Sequence, residues 1–169
     1  MAYDHTWPVR FEAEAALLEG AIGPWVTGGI HHVGSTAMPG MTAKPIIDIL
    51  VGVEDLPTSV PCVELLEPLG YVYAPYLPEV MHWFCKPDPA RRTHHLHLVP
   101  TDSGRYRDEL DFRDTLRADP ATAQAYAELK QDLAQRFRQD REAYTAGKTG
   151  FVAEVLGRAV GDDSVFGGA

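Results

Sequence analysis

The run Pro45-Ile46-Ile47-Asp48-Ile49-Leu50-Val51-Gly52-Val53 constrains this chain more than any other stretch. Almost every residue is β-branched or apolar, and Asp48 is the only charge. A continuous apolar run of this length bounded by turn residues reads as a strand buried on both faces, which requires layers above and below a sheet. It also poses a chemical question, because a carboxylate inside such a strand is costly unless it is paired or coordinated. Asp48 is therefore the leading candidate for function. The structural alternative is a buried ion pair with Lys44 or Arg113.

The segments around this strand define the rest of the fold. Phe11, Ala15, Leu18 and Ile22 recur at helical spacing from Pro8 to about Ile22, and Gly23-Pro24 ends that helix. Ile30 to Val33 reads as a short strand that runs into the turn Gly34-Ser35-Thr36, prolonged by Met38-Pro39-Gly40-Met41. Residues 58 to 69 form a second helix stopped by Gly70, and Tyr71 to Tyr76 with Val80 to Lys86 form an antiparallel pair. Thr93 to Val99 supplies a further strand. Beyond Ser103 the pattern turns helical: one helix carries Leu110, Phe112 and Leu116, the next opens at Asp119-Pro120, and a third covers 141 to 160. The expected fold class is α+β, one domain over 1–160 with a mixed β-sheet flanked by helices, a helical C-terminal third, and a flexible tail at 161–169.

Composition narrows the function classes. A chain of 169 residues buries roughly 68–70% of its unfolded surface, so no staple is required. Lys and Arg number 15 against 24 Asp and Glu, a formal charge of -9, which argues against a nucleic acid polymer or an anionic membrane as partner. Cys62 and Cys85 match neither a redox pair nor a zinc knuckle and read as reduced core thiols. With no apolar run near the ~18 residues of a membrane span and no signal-like start, the expected location is the cytoplasm. Nothing in the sequence fixes an oligomeric state.

Three features carry candidate chemistry. In the first, the Gly34, Ser35 and Thr36 turn offers amides and hydroxyls for phosphate oxygens, Lys44 adds a positive charge, and Asp48 brings a carboxylate suited to Mg²⁺ or a similar cation. It is neither a Walker motif nor a dinucleotide fingerprint. In the second, Thr93-His94-His95-Leu96-His97, alternation puts His95 and His97 on one face and His94 on the other, so the first two can share a metal or an anion. Lys86, Arg91 and Arg92 lie just upstream, and the expectation is that they gather with Lys44 and the histidines around Asp48. The third is the set Arg113, Lys130 and Lys148 on the C-terminal helices. Tyr126 with Lys130 and Tyr144 with Lys148 are each four apart on one face.

Taken together, His32-Val33-Gly34-Ser35-Thr36-Ala37 with Pro39-Gly40, Ala43-Lys44-Pro45-Ile46-Ile47-Asp48-Ile49, Thr93-His94-His95-Leu96-His97, Phe112-Arg113-Asp114, Tyr126 with Leu129-Lys130, and Tyr144 with Lys148-Thr149 resemble the GrpB family of the nucleotidyltransferase-like superfamily. The resemblance runs from Tyr3 to about Leu156. It implies a Gly-Ser turn after one strand and a pair of carboxylates on the next, often with a third from a later strand. Gly34, Ser35 and Asp48 match. Leu50 stands where the second acid is expected, and His95 or His97 where the third is. Domains like this one also occur joined to dephospho-CoA kinase, which implies a nucleotide or coenzyme A context.

The resemblance thus implies binding of ATP, another nucleotide or a different phosphate-bearing small molecule. It extends to transfer of a nucleotidyl group, with Asp48, His95 and His97 as catalytic groups and Gly34, Ser35, Thr36, Lys44, Arg113, Lys130 and Lys148 toward the phosphates. One alternative is a catalytically degenerate binding module, motivated by Leu50. The other is a metal-dependent enzyme in which Asp48, His95 and His97 hold Mg²⁺, Mn²⁺ or, because imidazole is a softer ligand, a transition metal.

Overall fold

A computed structural model describes residues 1–158; the expected tail at 161–169 lies outside them. The chain divides into two compact units, Met1–Asp102 and the residues from Ser103 onward. The boundary falls where the sequence turns helical, and within the span expected to be one domain.

In the first unit, helix α1 (Trp7–Ile22) starts with Pro8 in its first turn, where a missing amide hydrogen costs nothing. Strand β1 (Val26–Val33) begins earlier than expected and tolerates Gly28-Gly29 because its register shifts between Val26 and Ile30, with Gly29 at φ +85°. Strand β2 (Ile47–Val53) is the apolar run with its first two residues trimmed. Helix α2 (Cys62–Leu66) is shorter than the expected 58–69, since its last turn tightens to a 3-10 turn at Glu67–Leu69, where Pro68 supplies no amide hydrogen. Strand β3 shrinks to Val72–Tyr73, cut off by Pro75 and by Leu77 at φ +47°. Strands β4 (His82–Lys86) and β5 (His94–Pro100) complete the sheet.

The strand order is β1-β2-β5-β4-β3. Among the described strands only β2 and β5 run parallel, so the sheet is mixed and the fold is α+β as expected. Alternation sorts its side chains between two faces. On one, Ile47, Ile49, Val51 and Val53 join Leu96, Leu98 and Phe84 against Trp7, Phe11, Leu18 and Ile22 of α1 and Cys62 and Leu66 of α2, forming the core. The other face carries Val33, Asp48, Leu50, Trp83, Cys85, His95 and His97, all close in register. Cys62 and Cys85 are buried free thiols, as expected, and burial pushes the Cys62 thiol up to about 11.

The second unit holds α3 (Gly104–Ala118), α4 (Pro120–Arg136) and α5 (Arg141–Leu156). Each opens on a side-chain cap. Ser103 accepts from the Tyr106 amide, Asp119 from those of Ala121 and Thr122, and Asp140 from that of Ala143. Tyr126 packs edge-on against Phe112 and stacks on Phe151, joining the three helices. Among the described residues no helix is long and apolar enough to cross a membrane.

Candidate functional site

Because β2 and β5 pair in parallel with Asp48 opposite His95, the two side chains emerge side by side on the face away from the core. His95 Nδ1 lies 2.9 Å from Asp48 Oδ1. A carboxylate only accepts, so Nδ1 carries the hydrogen and a neutral ring leaves its lone pair on Nε2. Nε2 is buried and has no hydrogen-bond partner among the described residues. The side chains of His95 and Asp48 nonetheless keep 18% and 27% exposure. An unmatched buried nitrogen costs about 1–3 kcal/mol, and that debt is settled by whatever ligand or water reaches it.

The Gly34 turn lies directly against this pair. A β-carbon at position 34 would collide with Asp48 Oδ2, and φ there is +71°, so both space and backbone require glycine. Its hydroxyls divide in role. Thr36 is buried and its Oγ1 donates to the Ile46 carbonyl at 3.0 Å, so it accepts from His32 Nε2 at 2.9 Å. Phe11 stacks on that imidazole with ring centroids 4.9 Å apart. Thr36 therefore braces the loop against β2 and α1, with its hydroxyl turned inward, away from any phosphate on the turn. Ser35 is half-buried and Lys44 exposed, and within the first unit Asp48 takes His95 rather than Lys44 as its partner.

On the other side of His95 stands Trp83, their ring centroids 5.1 Å apart. Arg92 lies over the same indole at 5.2 Å, and its Nε donates to the Pro89 carbonyl at 3.0 Å. The row Asp48, His95, Trp83, Arg92 thus runs across β2, β5 and β4 into the loop that follows.

Of the gathering expected around Asp48, strand geometry removes Lys86 and His94. Lys86 and His94 point to the opposite face, where Lys86 Nζ and the Tyr71 hydroxyl each donate to Glu14 Oε1 at 2.8 Å. Arg91 is exposed beside Asp88. His97 lies one step along the site face, opposite Leu50 and Trp83 in register. Arg113, Lys130 and Lys148 belong to the second unit, where Arg113 pairs with Asp114 at 2.8 Å, Lys130 lies over Tyr126 and Lys148 over Tyr144. Sequence reasoning passed over Trp83, although its alternation with Cys85 places it on this face. It also missed Glu14, which sits three residues from Phe11 and four from Leu18, on the apolar stripe of α1.

Among the described residues no group of three or more His, Cys, Asp and Glu side chains is arranged to hold a metal ion. Asp48 is bonded to His95 through Oδ1 and Nδ1, which leaves Nε2 as the ring's one remaining donor atom toward any cation. A resident ion held jointly by Asp48, His95 and His97 does not fit this geometry.

Comparison with known proteins places the chain. The sequence profile described as GrpB protein matches residues 1–158. A UPF0157 protein of Pseudomonas aeruginosa is 45% identical over 93% of this chain, which spans only 65% of that protein's length. The glutamate-rich protein GrpB of Alkalihalophilus pseudofirmus is 37% identical, with 92% of each chain covered. The crystal structure of the conserved protein GrpB from Enterococcus faecalis superposes with a TM-score of 0.80 at 32% identity, covering 93% of this chain and 96% of that one. By sequence and by fold, the chain is a member of the GrpB family.

Proposed function

We propose that this GrpB-family chain is a cytoplasmic enzyme that binds a nucleotide or another phosphate-bearing small molecule on the site face of its sheet, with His95 exchanging the proton of the reaction. One observation carries the reading: His95 is oriented by Asp48 through Nδ1 while its buried Nε2 has no partner among the described residues. That is the arrangement of a general base whose ring is held in one tautomer by a carboxylate. In nucleotidyl transfer, Nε2 takes the proton of an acceptor hydroxyl as its oxygen attacks the α-phosphorus, the bond to the pyrophosphate oxygen breaks, and pyrophosphate leaves. Asp48 offsets the charge that forms on the imidazole. Support for a nucleotide context comes from a protein of Mycolicibacterium paratuberculosis named dephospho-CoA kinase, 30% identical over 92% of this chain, which spans 44% of that protein.

Titration of the purified protein with ATP, other nucleotides and phosphorylated metabolites, with and without added Mg²⁺ or Mn²⁺, followed by a turnover screen, tests the proposal. Binding and turnover, the latter lost in Asp48→Asn and His95→Gln, are the expected results. Absence of binding across the panel overturns the reading.

A second reading has its own observation. Leu50 occupies the position of the second carboxylate and is fully buried, so no acid is poised there to hold a second cation. On that reading the site binds its ligand without converting it. Tight binding that survives Asp48→Asn, with no turnover in the screen, selects this alternative.

A further inference from the structure

Two ends of the site compete for the ligand's negative charge, and the charges around His95 decide between them. Within the first unit, the charged group against the Gly34 turn is the Asp48 carboxylate itself, whose Oδ2 presses on the turn so closely that a β-carbon would collide with it. Like charges at that distance repel, so an oxyanion seated on the Gly34 amides meets an unfavourable field. On the Trp83 side the balance is reversed. Arg92 lies over the indole with its Cζ 5.2 Å from the ring centroid, its Nε is tied to the Pro89 carbonyl, and the remaining nitrogens of its fork have no hydrogen-bond partner among the described residues. Asp88, the one acid of that loop, accepts the Ala90 and Arg91 amides at 2.8 and 2.9 Å and faces the Arg91 side chain at 3.9 Å. It thus leaves Arg92 without a carboxylate partner. Cys85, opposite His95 on β4, adds no charge, since burial pushes its thiol up.

We infer that Arg92, held over Trp83, is the anion anchor of this site, that it grips a phosphate monoester of the small-molecule ligand through its open fork, and that it places the ligand's reacting end toward His95 Nε2. The inference rests on the functional reading for the identity of the base but locates the phosphate independently of it. An arginine pre-stacked on an aromatic ring loses little freedom on binding and offers two parallel donors to an oxyanion, a geometry that lysine cannot reproduce. The ligand class is therefore a small phosphate ester. A neutral analogue of the same shape has nothing to offset desolvation of the guanidinium.

The test uses the full chain and inorganic phosphate, followed by AMP, as probes, read by NMR at the Arg92 Nε, Trp83 indole and His95 imidazole signals. Saturable shifts at all three are expected in the parent protein. In Arg92→Gln phosphate affinity should fall about tenfold or more, and Arg92→Lys should not restore it. Trp83→Leu, which removes the platform but keeps the cation, should weaken binding by a smaller factor. Intact spectra elsewhere, and persistence of the Nδ1 proton signal of His95, verify that the variants are folded with the Asp48 bond in place. The inference is overturned if the parent shows no shift up to millimolar phosphate, or if Arg92→Gln binds phosphate as the parent does. Phosphate binding that depends on Arg92, alongside a failed turnover screen, removes the enzymatic reading and keeps the anchor. Turnover unaffected by Arg92→Gln does the reverse.

Discussion

His94 and His95 are adjacent on β5, yet alternation sends them to opposite faces of the sheet, and each meets a carboxylate there. His94 enters a closed set: its Nε2 lies 3.8 Å from Glu14 Oε2, while Glu14 Oε1 accepts from both Tyr71 and Lys86 at 2.8 Å. Its other nitrogen bonds the Thr93 hydroxyl at 2.8 Å. His95 has one carboxylate partner and a buried nitrogen with none among the described residues. A carboxylate thus faces a histidine on each side of the sheet, but only His95 is hydrogen-bonded to its own. A saturated network fixes α1 against β4 and β5, whereas an unsaturated one stores the capacity to accept a ligand or a proton.

The contrast breaks most visibly at Asp48. If His95 works as a base, Asp48→Asn should lower turnover by about 10²–10⁴-fold while thermal stability stays close to the parent's, as read by kinetics on any substrate found and by a melting curve. Comparable losses of stability and activity would make the two pairs equivalent. On the other face, Glu14→Ala leaves buried Tyr71 and half-buried Lys86 without their acceptor and should cost about 2–4 kcal/mol in chemical denaturation, because a broken, largely buried pair leaves an uncompensated charge. A value near zero would show that network to be dispensable.

Gly34→Ala should cost about 1–3 kcal/mol from backbone strain and, more tellingly, displace Asp48, so that the Nδ1 proton signal of His95 moves or disappears in NMR. The smallest effect concerns pH. Burial, reinforced by Lys86, Arg10 and His95 and opposed by Glu14, holds His94 below its ordinary value of 6.5. Between that lowered value and 6.5 the unfolded chain binds the extra proton and the folded one does not. Stability therefore rises with pH across that window and is lost as pH falls below about 6.5. Denaturation at a series of pH values should show this slope in the parent and a flatter one in His94→Asn.

Much of this was readable from periodicity. The apolar run with one acid became the central strand, His94 and His95 took opposite faces, and the Gly34 turn landed beside Asp48. Other parts were not readable, and the reasons are physical. Nothing in the local pattern distinguishes Thr36, whose hydroxyl turns inward to Ile46 and His32, from Ser35 beside it. Lys86 belongs to Glu14, a residue 72 positions away in the chain, a partnership that only the sheet's pairing creates. Arg92 looks like one of several loop cations until Trp83 is seen to lie beneath it.

By itself the sequence determined the strand that had to be buried, the one carboxylate it had to carry inside, and the alternation that separates neighbouring histidines. These follow from the two-residue period of a strand and from the cost of placing charge among apolar side chains. Only the tertiary structure decided the partners. Parallel pairing of β2 with β5 set Asp48 opposite His95, and pairing of β4 with β5 brought Trp83, and through it Arg92, to the same place. Such contacts depend on register between distant segments, which no local pattern of residues encodes.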